Sequence, residues 1–136
     1  MFTKNAKIEL LKQAPLFSDC SRRELNEIAT IADEIHFPAG KVLMTEGEAG
    51  KEFVVIVDGT VAISRGGKRV PLRGDATFFG ETALLTGTPR NATVTTTSPV
   101  RALVITGRAF GRLLTDSPGI QRKILVSLAS RLPDAN

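Results

Sequence analysis

One run of fifteen residues, Phe79-Gly80-Glu81-Thr82-Ala83-Leu84-Leu85-Thr86-Gly87-Thr88-Pro89-Arg90-Asn91-Ala92-Thr93, holds residue types suited to gripping an anion and to accepting hydrogen bonds from hydroxyls. Gly80 follows the aromatic pair Phe78-Phe79 and opens the apolar run Ala83-Leu84-Leu85, which reads as one helical turn beginning at Gly80. Lacking a Cβ, Gly80 lets backbone come close to a ligand. The first N–H groups of such a turn have no partner within it and together favour an anion, so a phosphate is expected near the amides of Thr82 and Ala83. Arg90 follows Gly87-Thr88-Pro89, a turn in which Pro89 fixes φ and aims the next side chain. Its guanidinium is always charged and offers a planar fork that matches two phosphate oxygens, so Arg90 is the expected counter-ion. Glu81 would be repelled by a phosphate at the same atoms and is expected to accept hydrogen bonds from hydroxyls elsewhere on the ligand; a ribose hydroxyl fits. Taken alone, Glu81 and Arg90 read equally as a surface ion pair worth at most about 1 kcal/mol beside a turn packed by Leu84 and Leu85. The full string separates the two readings.

That string, Phe-Gly-Glu-x-Ala-Leu-Leu-x-Gly-x-Pro-Arg-x-Ala-Thr, resembles the phosphate-binding cassette of cyclic-nucleotide-binding domains, as in protein kinase A regulatory subunits, the catabolite activator protein and bacterial cyclic-nucleotide-gated channels. The resemblance runs from about Leu11 to Leu132. It implies that Glu81 takes the ribose 2′-hydroxyl, that Arg90 takes the cyclic phosphate, and that Gly80 and Ala83 supply backbone N–H groups. Phe79, Thr82, Asn91 and Ala92 complete the implied cassette contacts. The ligand would be cAMP or cGMP, with no cofactor and no catalysis. Ala is common after the arginine in cAMP-selective domains and Thr in cGMP-selective ones, whereas Asn91 offers either a donor or an acceptor. The weight of examples favours cAMP. The family's usual Gly-Pro-Gly-Asp approach to the cassette is replaced by Gly74-Asp75-Ala76-Thr77. The resemblance also makes the last helix a lid, in which Arg131 matches an arginine that packs on the purine, with Leu132 as the apolar alternative. A guanidinium over an aromatic ring gains about 0.5–2 kcal/mol. The plainer reading of Arg131 is a solvated cation near a helix C-terminus, where the dipole favours positive charge.

Positioning these residues requires a scaffold, and the rest of the chain supplies its signals. A short helix is predicted around Lys4 to Lys12, with Ile8 and Leu11 on one face and Pro15 ending it. Ser21 with Glu24 three residues later forms a capping box, followed by Leu25, Ile28, Ala29 and Ala32 at helical spacing, so a second helix is predicted from about Ser21 to Asp33. From Ile35 short strands take over: Val42-Leu43-Met44, the β-branched run Phe53 to Val57, Thr93 to Thr97, and Val100 to Ile105. Asp58-Gly59 and Gly66-Gly67 each read as a two-residue hairpin turn. Helical spacing returns at Phe110, Leu113 and Leu114. Ser117-Pro118 then starts a final helix, with Ser as N-cap and Pro at the first position. Its stripe, Ile120, Ile124, Leu125, Leu128 and Leu132, is expected to face the core, a dimer contact being the alternative.

The expected fold is α+β: a β-roll, a jelly-roll-like antiparallel barrel, flanked by N-terminal helices and two C-terminal helices. A single domain is expected across 1–136, with N-terminal helices in 1–33, the roll in 34–106 carrying the cassette at 79–93, and lid helices in 107–132. A chain of 136 residues with 42% hydrophobic content can bury a real core. A net charge of +4 spread along the chain suits an anionic ligand without demanding nucleic acid, and no Tyr or Trp is available for base stacking.

Cys20, the sole cysteine, excludes an internal disulfide and a multi-Cys metal site and reads as a small residue in a loop before a helix. His36, the sole histidine, reads as a strand residue with one polar partner, which argues against a metal cupin. The N-terminus lacks the apolar core of a signal peptide, and no apolar run approaches the roughly 18 residues of a membrane span. The expected setting is the cytoplasm. Only four residues follow Leu132, leaving no room for a DNA-reading helix-turn-helix, so the chain is expected to be a stand-alone sensor or a regulatory piece of a larger protein. Its expected partners are a cyclic nucleotide and an unidentified effector protein or domain, with a homodimer through the last helix as a further option. The alternative function is a ligand-free degenerate domain that serves as a docking or dimerisation module. A barrel enzyme acting on a phosphorylated sugar lacks a general base or metal cluster placed by motif.

Overall fold

The computed structural model describes residues 3–73, 77–80 and 89–130. Helix α1 spans Lys4–Lys12, with Thr3 Oγ1 accepting from the Ala6 N–H at 3.1 Å. It buries Ile8 and Leu11, as the spacing predicts. A 3₁₀ turn at Pro15–Phe17 follows and buries Leu16 and Phe17. Helix α2, Arg22–Thr30, opens on the expected capping box: the Glu24 N–H donates to Ser21 Oγ at 3.2 Å and the Ser21 N–H to Glu24 Oε1 at 2.8 Å. It stops three residues before the expected Asp33, because Asp33 already belongs to strand β1, Asp33–Phe37, which pairs antiparallel with β8, Val100–Thr106.

Between them run β2 (Val42–Met44), β3 (Glu52–Asp58), β4 (Val61–Arg65), β5 (Lys68–Arg73), β6 (Thr77–Phe79) and β7 (Thr93–Thr96). They form two four-stranded antiparallel sheets, ordered β1-β8-β3-β6 and β2-β7-β4-β5. The jelly-roll-like α+β class is therefore correct, as two sheets rather than one closed barrel among the described residues. Gly66-Gly67 makes the predicted hairpin: Arg65 lies opposite Lys68, and both glycines have positive φ, 60° and 77°, as a type I′ turn demands.

Asp58-Gly59 is not a hairpin. Strand β3 is already flanked by β8 and β6, so the chain crosses to the other sheet, where β4 pairs with β5 and β7. Strands β5 and β6, which the periodicity did not reveal, are edge strands. Pro71 within β5 suits an edge, since a proline cannot donate to a ladder.

The sheet containing β3 and β8 is apolar on both faces, which explains runs too continuous to alternate. On one face Phe53, Val55, Leu103 and Ile105 meet residues of the helices, including Leu11, Phe17, Ile28, Phe110, Ile120 and Ile124. On the other, Val54, Ile56, Ala102 and Val104 meet Met44, Val61, Ile63 and Val94 of the second sheet. Helix α3, Gly107–Asp116, contributes Phe110, and helix α4, Pro118–Ser130, contributes Ile120 and Ile124.

The predicted stripe on α4 needs one correction. Leu125 is 61% exposed, because a residue next to Ile124 lies about 100° around the helix from it. The inward line passes instead through Ser127, whose hydroxyl donates to the Pro15 carbonyl at 2.6 Å. Leu132 and the side chain of Leu128 lie outside the described residues.

Helix α4 is tied to the start of α2 through Lys123, whose ammonium donates to the Asp19 carbonyl at 3.1 Å and to Glu24 Oε1 at 3.4 Å. The Ser21 backbone N–H, with help from Lys123, holds the Glu24 carboxyl below its ordinary value of 4.5. A depressed carboxylate stabilises the fold above its unfolded pKa and loses that contribution as pH falls through its folded pKa. Glu24→Ala should therefore cost about 1 kcal/mol at neutral pH. That gap should close in acid, which urea unfolding of both proteins at pH 7 and pH 3 would reveal; a pH-independent gap would rule out the carboxylate as its source.

Candidate ligand-binding site

Among the expected site residues, Arg90 has the most unusual surroundings. Its side chain belongs to a residue only 9% exposed. The backbone is clipped on both sides by the loop before β3: the Arg90 N–H donates to the Glu48 carbonyl and the Gly47 N–H to the Arg90 carbonyl, each at 2.8 Å. Pro89 pairs with Ala49 in the same clip. The guanidinium reaches the first residue of β3, donating from Nη2 to the Glu52 carbonyl at 2.7 Å. Nη1 is buried and has no hydrogen-bond partner among the described residues. Burial pulls the Arg90 pKa down from its usual range, and the Glu52 carboxylate opposes that pull. The group nevertheless stays charged at any physiological pH.

Gly80 closes the other side. It follows β6 with φ at +84°, and a Cβ there would collide with both Arg90 Nη1 and the Glu52 carbonyl. The structure thus brings Gly80 and Arg90 together, as expected, and adds a role for the glycine: it leaves room for the arginine. Phe79 is half-buried opposite Val54 and packs on the core between the sheets. Ala92 is buried in that same core. Asn91 is exposed, and its carbonyl accepts from Arg65 Nε at 3.2 Å. Glu81, Thr82, Ala83 and Arg131 lie outside the described residues.

Two residues that the motif did not flag surround Arg90. Glu52 acts through its carbonyl, which any residue would supply, so no side-chain signal marked it. Gly50, in the loop before β3, lies against the Arg90 side chain. The same strand end also anchors a helix. The Lys51 carbonyl accepts from the Gly107 N–H, first residue of α3, at 2.5 Å, and Glu52 lies opposite Thr106.

The lone Cys20 and His36 stand apart from this site. Burial, reinforced by Glu24, pushes the Cys20 thiol up to about 11, which makes it a poor nucleophile. His36 Nε2 lies 3.1 Å from Glu34 Oε2 on an exposed stretch of β1, as its sequence setting suggested. Among the described residues no helix is long and apolar enough to cross a membrane.

The family model described as "Cyclic nucleotide-binding domain" matches residues 34–117. A cAMP-dependent protein kinase regulatory subunit of Hypocrea atroviridis is 33% identical over 113 residues, covering 83% of this chain and 24% of the relative. A cyclic nucleotide-gated potassium channel of Rhizobium etli is 35% identical over 116 residues, covering 85% of this chain and 32% of the relative. The chain therefore spans about a quarter to a third of the length of these relatives. Among solved structures, the N-terminal domain of a transcriptional regulator from Streptomyces coelicolor A3(2) superimposes with a TM-score of 0.82 at 24% identity, covering 90% of this chain and 91% of that one. That likeness bears on the fold.

An alanine at position 80 would adopt a left-handed backbone, costing about 1–2 kcal/mol, before its methyl meets the Glu52 carbonyl and Arg90. Gly80→Ala should lower the unfolding free energy by about 2 kcal/mol or more. An unchanged urea midpoint would show that nothing closes on Gly80.

Proposed function

This chain belongs to the cyclic nucleotide-binding domain family, and on that premise we propose that it binds a cyclic nucleotide, cAMP ahead of cGMP, and passes binding to its C-terminal helices without catalysing a reaction. The observation that carries the reading is Arg90: a buried, permanently charged guanidinium with Nη2 committed to Glu52 and Nη1 unpaired among the described residues. A buried cation needs an opposite charge and a full set of acceptors. A cyclic phosphate supplies both.

In this reading Glu81 takes the ribose 2′-hydroxyl, the amides of Gly80 and Ala83 take phosphate oxygens, and Phe79, Thr82, Asn91 and Ala92 complete the cassette. Arg131 packs on the purine. These roles follow from the cassette string, and the preference for cAMP leans on the name of the Hypocrea atroviridis relative. Whatever moves Glu52 also moves Lys51, which holds the start of α3, so α3 and α4 are the natural output to an effector protein or domain. The shift can be no larger than the ligand's difference in affinity between two states. A cytoplasmic setting belongs to the same proposal.

Isothermal titration with cAMP and with cGMP at one salt concentration is expected to show one-to-one binding, tighter for cAMP. Arg90→Ala should weaken it by about 2–4 kcal/mol by stranding the phosphate. No heat with either nucleotide from folded, nucleotide-free protein would overturn the proposal, and an Arg90→Ala affinity within about twofold of the original would overturn the phosphate assignment.

A further inference from the structure

The geometry points to Gly50 as a positioning residue of the ligand site: the Arg90 side chain lies where a side chain at position 50 would begin. A Cβ built on Gly50 falls onto Arg90 Nε and within 2.6 Å of its Cδ and Cζ. An overlap with the far end of a long side chain is ordinarily relieved by swinging that end away. Arg90 has little freedom to do so. Its backbone is clipped to Glu48 and Gly47, its Nη2 is bonded to Glu52, and Gly80 closes on Nη1 from the other side. The guanidinium is thus seated between two glycines, and moving it toward solvent breaks the bond to Glu52.

Gly50 differs from its neighbour Gly47 in what it requires. Among the described residues the left-handed glycines are Gly40, Gly47, Gly59, Gly66, Gly67 and Gly80; Gly50 is not one of them. A Cβ on Gly47 would meet nothing within 4 Å, so Gly47 serves the backbone alone. Position 50 accepts an L-residue's backbone, and the three atoms nearest to the added carbon all belong to Arg90. Any penalty at Gly50 should therefore pass through Arg90.

A double-mutant cycle tests this. Its effect on binding rests on the reading of Arg90 as the phosphate's counter-ion, whereas its effect on stability does not. In urea unfolding without ligand, Gly50→Ala should lower the midpoint in the otherwise unaltered protein and leave it nearly unchanged in an Arg90→Ala background. In titration with cAMP, Gly50→Ala should weaken binding about tenfold or more, and add nothing once Arg90 is alanine. Equal midpoint losses in both backgrounds, or full cAMP affinity in folded Gly50→Ala protein, would overturn the inference. Absence of binding of both cAMP and cGMP by the unaltered protein would refute the nucleotide reading, and the ligand-free cycle would still decide whether Gly50 seats Arg90.

Discussion

A guanidinium withdrawn from water must be surrounded by acceptors, and much of the local architecture here exists around one that is. Removing such a charge from solvent costs several kcal/mol before compensation. The compensation comes from separate parts of the chain. The start of β3 presents the Glu52 carbonyl, the Thr45–Gly50 loop fixes the Arg90 backbone, and the residue after β6 turns left-handed to leave space. Among the described residues, each of these three contributions is backbone or an absent side chain, and the Glu52 carboxylate adds an opposite charge. None of the three depends on a flexible partner, so the charge is held in one place before any ligand arrives. Preorganised charge of this kind spares the ordering cost that a mobile surface arginine would add on binding.

The strand that receives Arg90 also lies between the molecule's layers. Residues of β3 alternate strictly between the helical layer, with Phe53 and Val55, and the second sheet, with Val54 and Ile56. A displacement at its first residue is therefore felt on both sides. The Phe17 ring sits edge-on to Phe53, with centroids 5.7 Å apart, and packs against Phe110 of α3 at 6.0 Å. The bond from Gly107 to Lys51 adds a second connection one residue from the arginine's anchor. Close packing favours shifts between discrete arrangements over gradual deformation. In the proposed function, that property is what lets a ligand at Arg90 be read at α3 and α4.

Elements decided by local chemistry are legible in the sequence. The capping box at Ser21 and Glu24 and the Gly66-Gly67 hairpin are set by a few neighbouring residues, and the structure shows both; the last helix starts at Pro118 as expected, while the Ser117 hydroxyl donates to Glu27 Oε2 at 3.4 Å. Asp58-Gly59 misled because a turn sequence reports the bend and not the partner, and β3 had both neighbours already. Strands β5 and β6 escaped because edge strands need no apolar alternation and β5 even carries a proline. Leu125 is apolar and adjacent to the inward Ile124, yet helical geometry turns it outward, which composition alone does not reveal. In the site, Arg90 and Gly80 were legible because their residue types are rare solutions to a chemical problem. Gly50 and Glu52 were not, since one acts through a missing atom and the other through a carbonyl common to every residue.

A crystal structure of the protein grown with cAMP tests whether Arg90 Nη1 is held ready for a phosphate oxygen. A phosphate oxygen is expected within about 2.7–3.2 Å of Arg90 Nη1, with the Nη2 bond to Glu52 retained. A bound nucleotide whose phosphate lies away from Arg90, or an Arg90 side chain swung out of its seat between Gly50 and Gly80, would contradict it.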